Sequence, residues 1–299
     1  MKVLVIGSSN TDMVIKTSRI PVPGETIIGG SFFMNQGGKG ANQAITAARL
    51  GAQVGFVCKL GTDLFGKQAE YSFEKEGIDT SYVFSDFLHP TGVALILVDN
   101  AAENCIVVAP GANYNLLPED IDRAEGAFME SDIILIQLEI PFPTVEHALK
   151  LAYRLRKRVI LNPAPARSLS GELLKCVYII TPNETEAEIL SGIKIRDEAS
   201  VQKAAAIIHG MGVAFVIITL GSKGAYIYDG QNGINIPAFR VKAVDTTAAG
   251  DVFNGALAVG LSENMTLPDA VRFACKASSI SVTREGAQSS IPYRKEVIM

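Results

Sequence analysis

The feature that most constrains the fold of this chain is an alternation of short β-branched runs with amphipathic stretches. Apolar residues recur at a 3.6-residue period over 39–50, 63–77, 144–157, 199–211 and 249–261. Apolar runs of strand length lie before, between and after them: VLVIG (3–7), VGFVC (54–58), IILIQL (133–138), RVILN (158–162), VYIIT (177–181) and FVIITL (215–220). Strands that are apolar on both faces favour a parallel sheet buried between helices. The pattern predicts an α/β fold with a doubly wound, mostly parallel sheet.

Two regions interrupt this alternation and resemble hairpins. Residues 12–34 and 91–109 contain strand-like runs without an accompanying helix, and the second has the turn DNAAEN between its two runs. We therefore expect a small sheet that stands apart from the main one and acts as a lid over a crevice. Since no repeat or linker-like stretch is evident, we expect one domain over residues 1–299, with the lid formed by about 12–34 and 91–109.

Composition narrows the classes of partner. The net charge is −4, the pI is near 5.5, and the basic residues are scattered, which argues against nucleic acid and against an anionic membrane surface. No apolar run approaches the roughly 18 residues of a membrane span, and the start MKVLVIGSSNTD does not resemble a signal peptide. The cysteines are far apart in sequence, which indicates a reducing cytoplasm without disulfides. We expect a small-molecule substrate.

Three glycine-rich segments are candidate anion sites: NQGGKGANQA (35–44), TLGSKGAY (219–226) and DTTAAGD (245–251). Each lies beside a strand-like run or opens a helix, where free backbone N–H groups and the helix dipole favour anions. None is a Walker A motif, and none matches GxGxxG. The lack of a dinucleotide fingerprint after the first strand argues against a dehydrogenase.

The third segment raises a question about Asp251. Ala248, Ala249 and Gly250 are small enough for a phosphate to approach the backbone, and Asp251 would then lie beside developing negative charge. In that position it can accept a proton from an attacking hydroxyl. Alternatively, Asp251 caps the helix and complements its dipole. The spacing alone favours neither interpretation.

Two segments, GGKGANQA (37–44) and DTTAAGDVFNGAL (245–257), resemble the signature segments of the ribokinase family of carbohydrate kinases. Where many family members have glycine this chain has Ala248, which is still small and still offers an N–H group. The resemblance covers nearly the whole chain through further segments in register: GSSNTDMV (7–14), VAPGAN (108–113), QLEIP (137–141), NPAPA (162–166), TPNETEAE (181–188), TLGSKG (219–224) and TREGAQSSIP (283–292).

The resemblance implies a sugar site between the main sheet and the lid. The positions that match sugar-binding residues of the family are Asn10, Asp12, Gly38, Lys39, Asn42 and Glu139, with Asp251 beside them. Carboxylates and amides supply the acceptors and donors that a polyol needs. Taken singly, each of these residues also suits an ordinary turn or helix start.

The resemblance also implies a nucleotide site and two metal sites. Asn183 and Glu186 match a magnesium and phosphate site, in which Glu186 alone would otherwise be read as a solvated helix residue. The nucleotide positions are Thr219, Gly221, Ser222, Gly224, Gly250 and Cys275. A monovalent-cation site for K⁺ is matched by Asp245, Thr247, Ser281, Arg284, Gly286 and Ser290.

The implied activity is the transfer of a phosphoryl group from ATP to the 5-hydroxyl of D-ribose. Asp251 would act as the base, the N–H groups of Ala248, Ala249 and Gly250 would stabilise the phosphoryl group, and Mg²⁺ would bridge the phosphates. A kinase for 2-deoxyribose, another sugar or a nucleoside is an alternative, as is a non-catalytic sugar- or nucleotide-binding regulator on the same fold. We also expect a homodimer formed through the lid sheet.

Overall fold

The computed structural model describes residues 2–101 and 103–298, which form two β-sheets flanked by helices. The strands are β1 (Lys2–Ile6), β2 (Asn10–Lys16), β3 (Ser31–Gly37), β4 (Gln53–Gly61), β5 (Val83–Asp86), β6 (Gly92–Val98), β7 (Asn104–Ala109), β8 (Ile133–Ile136), β9 (Arg158–Leu161), β10 (Ile179–Ile180), β11 (Phe215–Thr219), β12 (Ala225–Tyr228) and β13 (Gly233–Ile236). The helices are α1 (Lys39–Arg49), α2 (Leu64–Lys75), α3 (Pro118–Arg123), α4 (Glu125–Glu130), α5 (Phe142–Arg154), α6 (Gly171–Leu174), α7 (Glu184–Ser191), α8 (Glu198–Gly210), α9 (Ala249–Ser262), α10 (Leu267–Ser281) and α11 (Arg294–Ile298).

The larger sheet has nine strands in the order β13-β12-β11-β10-β9-β8-β1-β4-β5. Its pairs from β11 to β5 are parallel, and β12 and β13 add an antiparallel edge. The chain runs from β1 to β4 on one side and later returns to β8 on the other side. This reversal of strand order next to β1 is the kind of switch point at which doubly wound sheets open a crevice.

The core lies on both faces of this sheet. In β1, Val3 and Val5 join one buried cluster with α1, α9 and α10, whereas Leu4 and Ile6 join a second cluster with α5 and α8. Successive side chains of a strand point to opposite faces, so a strand buried on both sides must be apolar throughout. This is why the continuous apolar runs of the sequence became central strands.

The smaller sheet has four strands in the order β3-β2-β6-β7. The β2–β3 and β6–β7 pairs are antiparallel, and β2 and β6 join the two hairpins as a parallel pair. All residues of β7 are exposed. The two hairpin regions of the sequence therefore form one sheet apart from the larger one, as predicted.

The predicted α/β fold with a doubly wound, mostly parallel sheet is confirmed. The sequence did not predict β5, β12 and β13, nor the helices α3, α4, α6, α10 and α11, and of α7 it indicated only the first turn, around Asn183 and Glu186. Most of these elements are short, and a few residues are too few to show a period. Among the described residues, no helix has the length and apolar character needed to cross a membrane.

Candidate active site

Polar side chains collect where neighbouring parallel strands end. Asn10 follows the loop after β1, Glu139 follows β8, Asn162 follows β9 and Asn183 follows β10. Because the carboxyl ends of parallel strands meet at one edge of the sheet, these residues approach one another although they are far apart in sequence. The smaller sheet begins at the same edge, since β2 starts at Asn10.

A cavity of about 220 Å³ opens at this edge. Its walls come from the first turns of α1, α7 and α9 and from the ends of the strands. The lining residues are Lys39, Asn162, Ala164, Thr181, Asn183, Glu186, Thr219, Thr246, Ala248, Ala249, Gly250, Asp251 and Asn254.

Two helices approach closely enough to place amide side chains on Asp251. A Cβ atom added to Gly255 of α9 would lie 2.6 Å from Thr46 Cβ and 2.8 Å from the carbonyl oxygen of Gln43, both on α1. Only glycine allows this separation. Gly255 lies one turn after Asp251, so the close contact brings the start of α9 against α1.

Asp251 is the third residue of α9 and is 6% exposed. Its Oδ2 accepts a hydrogen bond from Asn42 Nδ2 at 3.0 Å, and its Oδ1 accepts one from Gln43 Nε2 at 2.9 Å. The N-cap of α9 is Ala248, which has a left-handed backbone with φ of 60° and no side-chain cap. The carboxylate of Asp251 is thus bound by another helix and does not cap its own, so the capping part of the alternative is wrong, although Asp251 lies in the first turn, where a carboxylate complements the helix dipole.

The charge balance around Asp251 favours a reactive carboxylate. Burial raises the pKa of Asp251, while the Lys39 ammonium and the hydrogen bonds from Asn42 and Gln43 oppose that rise. The pKa of Lys39 is raised, chiefly by the Asp251 carboxylate and against the effect of burial. Lys39 therefore remains a cation at neutral pH and faces the cavity together with a carboxylate of increased basicity.

Of the predicted sugar residues, Lys39 and Asp251 line the cavity, and Glu139 is bonded to the backbone of Lys39. Glu139 Oε2 accepts hydrogen bonds from Ser8 Oγ at 2.6 Å and from the backbone N–H of Lys39 at 3.0 Å. Burial, with further contributions from the Glu139 and Asp251 carboxylates, raises the pKa of Asp12 to about 7, although Lys39 opposes this. The structure thus brings Asp12, Lys39, Glu139 and Asp251 into one electrostatic cluster.

Gly38 and Asn10, two further predicted sugar residues, lie close together. Gly38 has a φ of 88°, and a Cβ atom there would lie 2.8 Å from the backbone nitrogen of Asn10. Both the left-handed backbone and the close approach require glycine. Asn10 Oδ1 accepts a hydrogen bond from Asn113 Nδ2 at 2.8 Å, and within the described residues the amino group of Asn10 has no acceptor.

Asn183 and Glu186 form the opposite wall. Each side chain accepts a hydrogen bond at 2.8 Å from the backbone N–H of the other, which makes a capping box at the start of α7. Glu186 is also 8% exposed and lines the cavity, so it is not a solvated helix residue. Burial raises the pKa of Glu186, whereas the hydrogen bond from Asn183 and the charge of Lys39 lower it.

The other predicted nucleotide residues lie at and beyond the margin of the cavity. Thr219 lines the cavity and pairs with Asn183 through an isolated β-bridge. Gly221 and Ser222 form an exposed 3-10 turn, and Gly224 is buried beneath it. Cys275 is 8% exposed in the apolar core beside α9, and burial raises the pKa of its thiol to about 11. Their contact with a nucleotide stays a prediction.

The predicted cation residues lie on two adjoining segments. Asp245 accepts hydrogen bonds at 2.9 Å from the backbone N–H groups of Thr247 and Gly286. Burial acts to raise the pKa of Asp245, but these hydrogen bonds outweigh it and the pKa is lowered. The buried hydroxyls of Ser281 and Ser290 are 2.7 Å apart. The Arg284 side chain pairs with Glu296, and because a guanidinium has no acceptor, Arg284 could contribute to a cation site only through its backbone carbonyl.

The first turn of α9 supplies the anion-facing backbone. The N–H group of Ala249 donates to the carbonyl oxygen of Thr246 at 3.2 Å. Those of Ala248, Gly250 and Asp251 have no acceptor within the part of the chain that the structure describes. The predicted donors Ala248 and Gly250 are thus available to an anion at the positive end of the helix dipole, together with Asp251, whereas the prediction for Ala249 is wrong because its N–H group is already bonded.

The structure adds residues to the site that the sequence did not single out. Gln43 and Asn162 contact each other, and Gln43 contacts Asp251. Asn254 accepts a hydrogen bond from Thr181 Oγ1 at 2.6 Å and donates to the carbonyl oxygen of Gly250 at 2.8 Å. All four lie in or directly beside the segments that resemble the family, and this was the signal available for finding them.

A family model described as pfkB family carbohydrate kinase matches residues 1–294. The chain is 47% identical over 294 residues to the ribokinase of Haemophilus influenzae, which covers 98% of this chain and 96% of that protein. It is 39% identical over 294 residues to the deoxyribokinase of Salmonella typhi, and the match covers 98% of this chain and 96% of that protein. The structure of Arabidopsis thaliana ribokinase complexed with ribose and ATP matches with a TM-score of 0.93 and 34% identity, over 99% of this chain and 97% of that one.

The larger sheet and the small sheet beside it have the architecture of ribokinase-like carbohydrate kinases. The chain belongs to the pfkB family of carbohydrate kinases. The prediction of a carbohydrate kinase is thereby confirmed.

Proposed function

We propose that this protein phosphorylates the 5-hydroxyl of D-ribose with ATP, giving D-ribose 5-phosphate and ADP. The observation that carries the proposal is Asp251, a buried carboxylate at the start of α9 whose oxygens are both held by amides of α1. The identity of 47% to one ribokinase and the likeness to a ribokinase complexed with ribose and ATP support the choice of substrates.

In this mechanism Asp251 is the general base. The 5-hydroxyl of the sugar donates its proton to the carboxylate as its oxygen forms a bond to the γ-phosphorus, and ADP leaves with the electrons of the broken bond. Burial, which raises the pKa of Asp251, makes it a stronger proton acceptor than an exposed aspartate. The N–H groups of Gly250 and Asp251 and the Lys39 ammonium offset the charge of the transferred group.

The sugar would be held by the predicted sugar residues: Asn10, Asp12, Gly38, Lys39, Asn42 and Glu139. Asn42 already donates to Asp251, and its Oδ1 has no hydrogen-bond partner among the described residues. A buried acceptor without a donor is costly, but Asn42 Oδ1 has almost no accessible surface, so a sugar hydroxyl would reach it only after the surrounding side chains move. The nucleotide would lie along Asn183, Thr219, Gly221, Ser222, Gly224, Gly250 and Cys275.

The residues at the start of α7 fit a Mg²⁺ ion. Glu186 is nearly buried, faces the cavity and has a raised pKa, and a nearby divalent cation would favour its charged form. Glu186 and Asn183 would hold the ion, directly or through water. When bound, Mg²⁺ neutralises charge on the ATP phosphates.

The segment around Asp245 fits a monovalent cation, which we propose is K⁺. Its donor set is one anionic carboxylate and the backbone oxygens of adjoining turns, held together by the bonds of Asp245 to Thr247 and Gly286. Such a set matches a large singly charged ion better than a small divalent one. The ion would brace the loop that precedes Ala248 without touching the substrates.

The smaller sheet would act as the lid and as the interface of a homodimer. It exposes a set of large apolar side chains: Ile15, Phe32, Met34, Leu95, Ile106, Val107 and Val108. An apolar surface of this kind is typical of a face that another protein covers. Sedimentation velocity, which measures the size of the species in solution, tests for the predicted dimer.

The separated cysteines and the acidic pI agree with a cytoplasmic location.

The experiment that tests the substrate is a coupled ADP-release assay across ribose, 2-deoxyribose, fructose and nucleosides. We expect ribose to exceed 2-deoxyribose by roughly ten- to a hundredfold in kcat/KM, because a missing hydroxyl leaves buried polar groups unpaired at about 1–3 kcal/mol. The deoxyribokinase relative at 39% identity makes 2-deoxyribose the second candidate substrate.

Different outcomes of this assay would contradict different parts of the proposal, namely the identity of the sugar or the kinase activity itself. Equal kcat/KM values for the two pentoses, or a preference for a hexose or a nucleoside, would overturn ribose and leave the kinase assignment intact. Sugar binding without sugar-dependent ADP release would instead identify a non-catalytic regulator.

A further inference from the structure

Behind Asp251 lie two buried amides, Gln43 and Gln137, that do not reach the cavity, although Gln43 also contacts Asn162, which lines it. Gln43, on α1, is 0% exposed and is not one of the lining residues. Its Nε2 lies 2.9 Å from Asp251 Oδ1 and 3.1 Å from Asn162 Oδ1. Its Oε1 lies 2.5 Å from Nε2 of Gln137, which is also 0% exposed.

The chemistry of the groups fixes which end of each side-chain amide faces which neighbour. An ionised carboxylate can only accept hydrogen bonds, so the amino group of Gln43 must face Asp251. Its carbonyl oxygen must then accept from Gln137. Rotating the Gln43 amide by half a turn would set its oxygen against the Asp251 carboxylate and leave the amino groups of Gln43 and Gln137 facing each other.

The two oxygens of Asp251 therefore have different surroundings. Oδ1 is bound by Gln43, away from the cavity, whereas Oδ2 is bound by Asn42, one of the candidate sugar residues. An oxygen with one donor keeps a second lone pair for a substrate hydroxyl. Each Asp251 oxygen has one such donor, and the two amides together fix the rotation of the carboxylate.

We propose that Gln43 is a positioning residue, which fixes the rotation of the Asp251 carboxylate and favours its charged form. The proposal rests on the proposed role of Asp251 as the general base. It predicts that removing the Gln43 donor impairs proton abstraction while binding is retained. Because a donor to a carboxylate lowers its pKa, its loss also moves the acid limb of the pH profile of kcat to higher pH.

The test is Gln43→Met, which keeps a long side chain and removes the hydrogen bonds. We expect kcat to fall about ten- to a hundredfold, as for loss of a hydrogen bond to a charged group. We expect KM for ribose and for ATP to stay within about twofold. The matched control is Thr46→Val, which removes a buried hydrogen bond from the same helix, Thr46 Oγ1 to the carbonyl oxygen of Asn42 at 2.7 Å, without a contact to Asp251. Its acid limb should coincide with that of the unmodified protein.

If Gln43→Met does not fold, Gln43→Glu serves in its place, because it has the same shape and sets a second carboxyl group against Asp251. Its acid limb should move upward as well. An unchanged kcat and acid limb in the folded variant, or an equal loss in Thr46→Val, would overturn the proposal. Asp251→Asn, assayed in parallel, distinguishes the two levels: if that variant keeps full activity, the base assignment has failed and not only the role of Gln43.

Discussion

The two sides of the cavity are built differently. On the α1 side, polar side chains are buried and bound to one another: Asp251 is held by Asn42 and Gln43, and Glu139 by Ser8 and the backbone of Lys39. On the side of the 219–224 loop, the glycine-rich turn is exposed and offers mainly backbone groups.

Because of this difference, the α1 side is suited to orienting the reacting groups, and the loop side is suited to letting the nucleotide enter and leave. Buried hydrogen-bonded side chains fix the geometry of reacting groups before a substrate arrives, which catalysis requires. An exposed turn of backbone groups can accept and release a nucleotide with little rearrangement. We therefore expect single substitutions on the α1 side to have large effects on kcat, and changes around the backbone-built side to have smaller ones.

The largest expected effect belongs to Asp251→Asn. The amide keeps the shape of the side chain and cannot accept the proton, so kcat should fall by at least about 10²- to 10⁴-fold. Binding of ribose and ATP, measured by calorimetry, should be retained. The matched control is Asp269→Asn, because Asp269 is likewise the third residue of its helix, α10, and is exposed. A near-normal kcat in Asp251→Asn would contradict both the role of Asp251 as the base and the expectation that substitutions on the α1 side have the largest effects on kcat.

A smaller effect is expected on the affinity for ribose when the pH is changed. Burial and the Glu139 and Asp251 carboxylates raise the pKa of Asp12 from its ordinary value of 3.8 to about 7. The charged form accepts sugar hydroxyls, so ribose affinity without ATP should rise about tenfold between about pH 6 and about pH 8. Asp12→Asn should bind ribose with little dependence on pH. A slope that persists in this variant would assign the titration to Asp251 or Glu186, whose pKa values are also raised.

The same carboxyl group has the opposite effect on stability. The folded protein keeps a proton on Asp12 that the unfolded chain loses above about pH 4. Its contribution to the free energy of unfolding is therefore complete below the unfolded pKa and is lost as the pH rises toward about 7. Chemical denaturation of Asp12→Asn beside the unmodified protein measures this contribution.

The smallest expected effect concerns the proposed cation site around Asp245. We expect kcat to be higher in K⁺ than in Na⁺ at constant ionic strength, by about a few-fold, since the ion would order the loop before Ala248 and touch no substrate. Asp245→Asn should abolish the difference between the two salts. Equal rates for the unmodified protein in both salts would rule out the cation site.

The central strands and the lid hairpins were predictable because each leaves a local pattern in the sequence. Continuous apolar runs mark β1 and β8, and the paired runs of 91–109 mark β6 and β7. The short strand β10 was predicted with the correct position and too great a length, since its ends depend on where its neighbours stop pairing. Elements such as α6 and β13 have only four residues each, and no period can be read from so few.

The sequence alone determined the class of fold and indicated many residues of the candidate site, because periodicity, glycine positions and the family segments are local properties of the chain. Only the tertiary structure showed that Asp251 does not cap its own helix and is held by Asn42 and Gln43, more than 200 residues away along the chain. They reach Asp251 because Gly255 lets α9 approach α1, and a contact between distant segments leaves no periodic trace in either one.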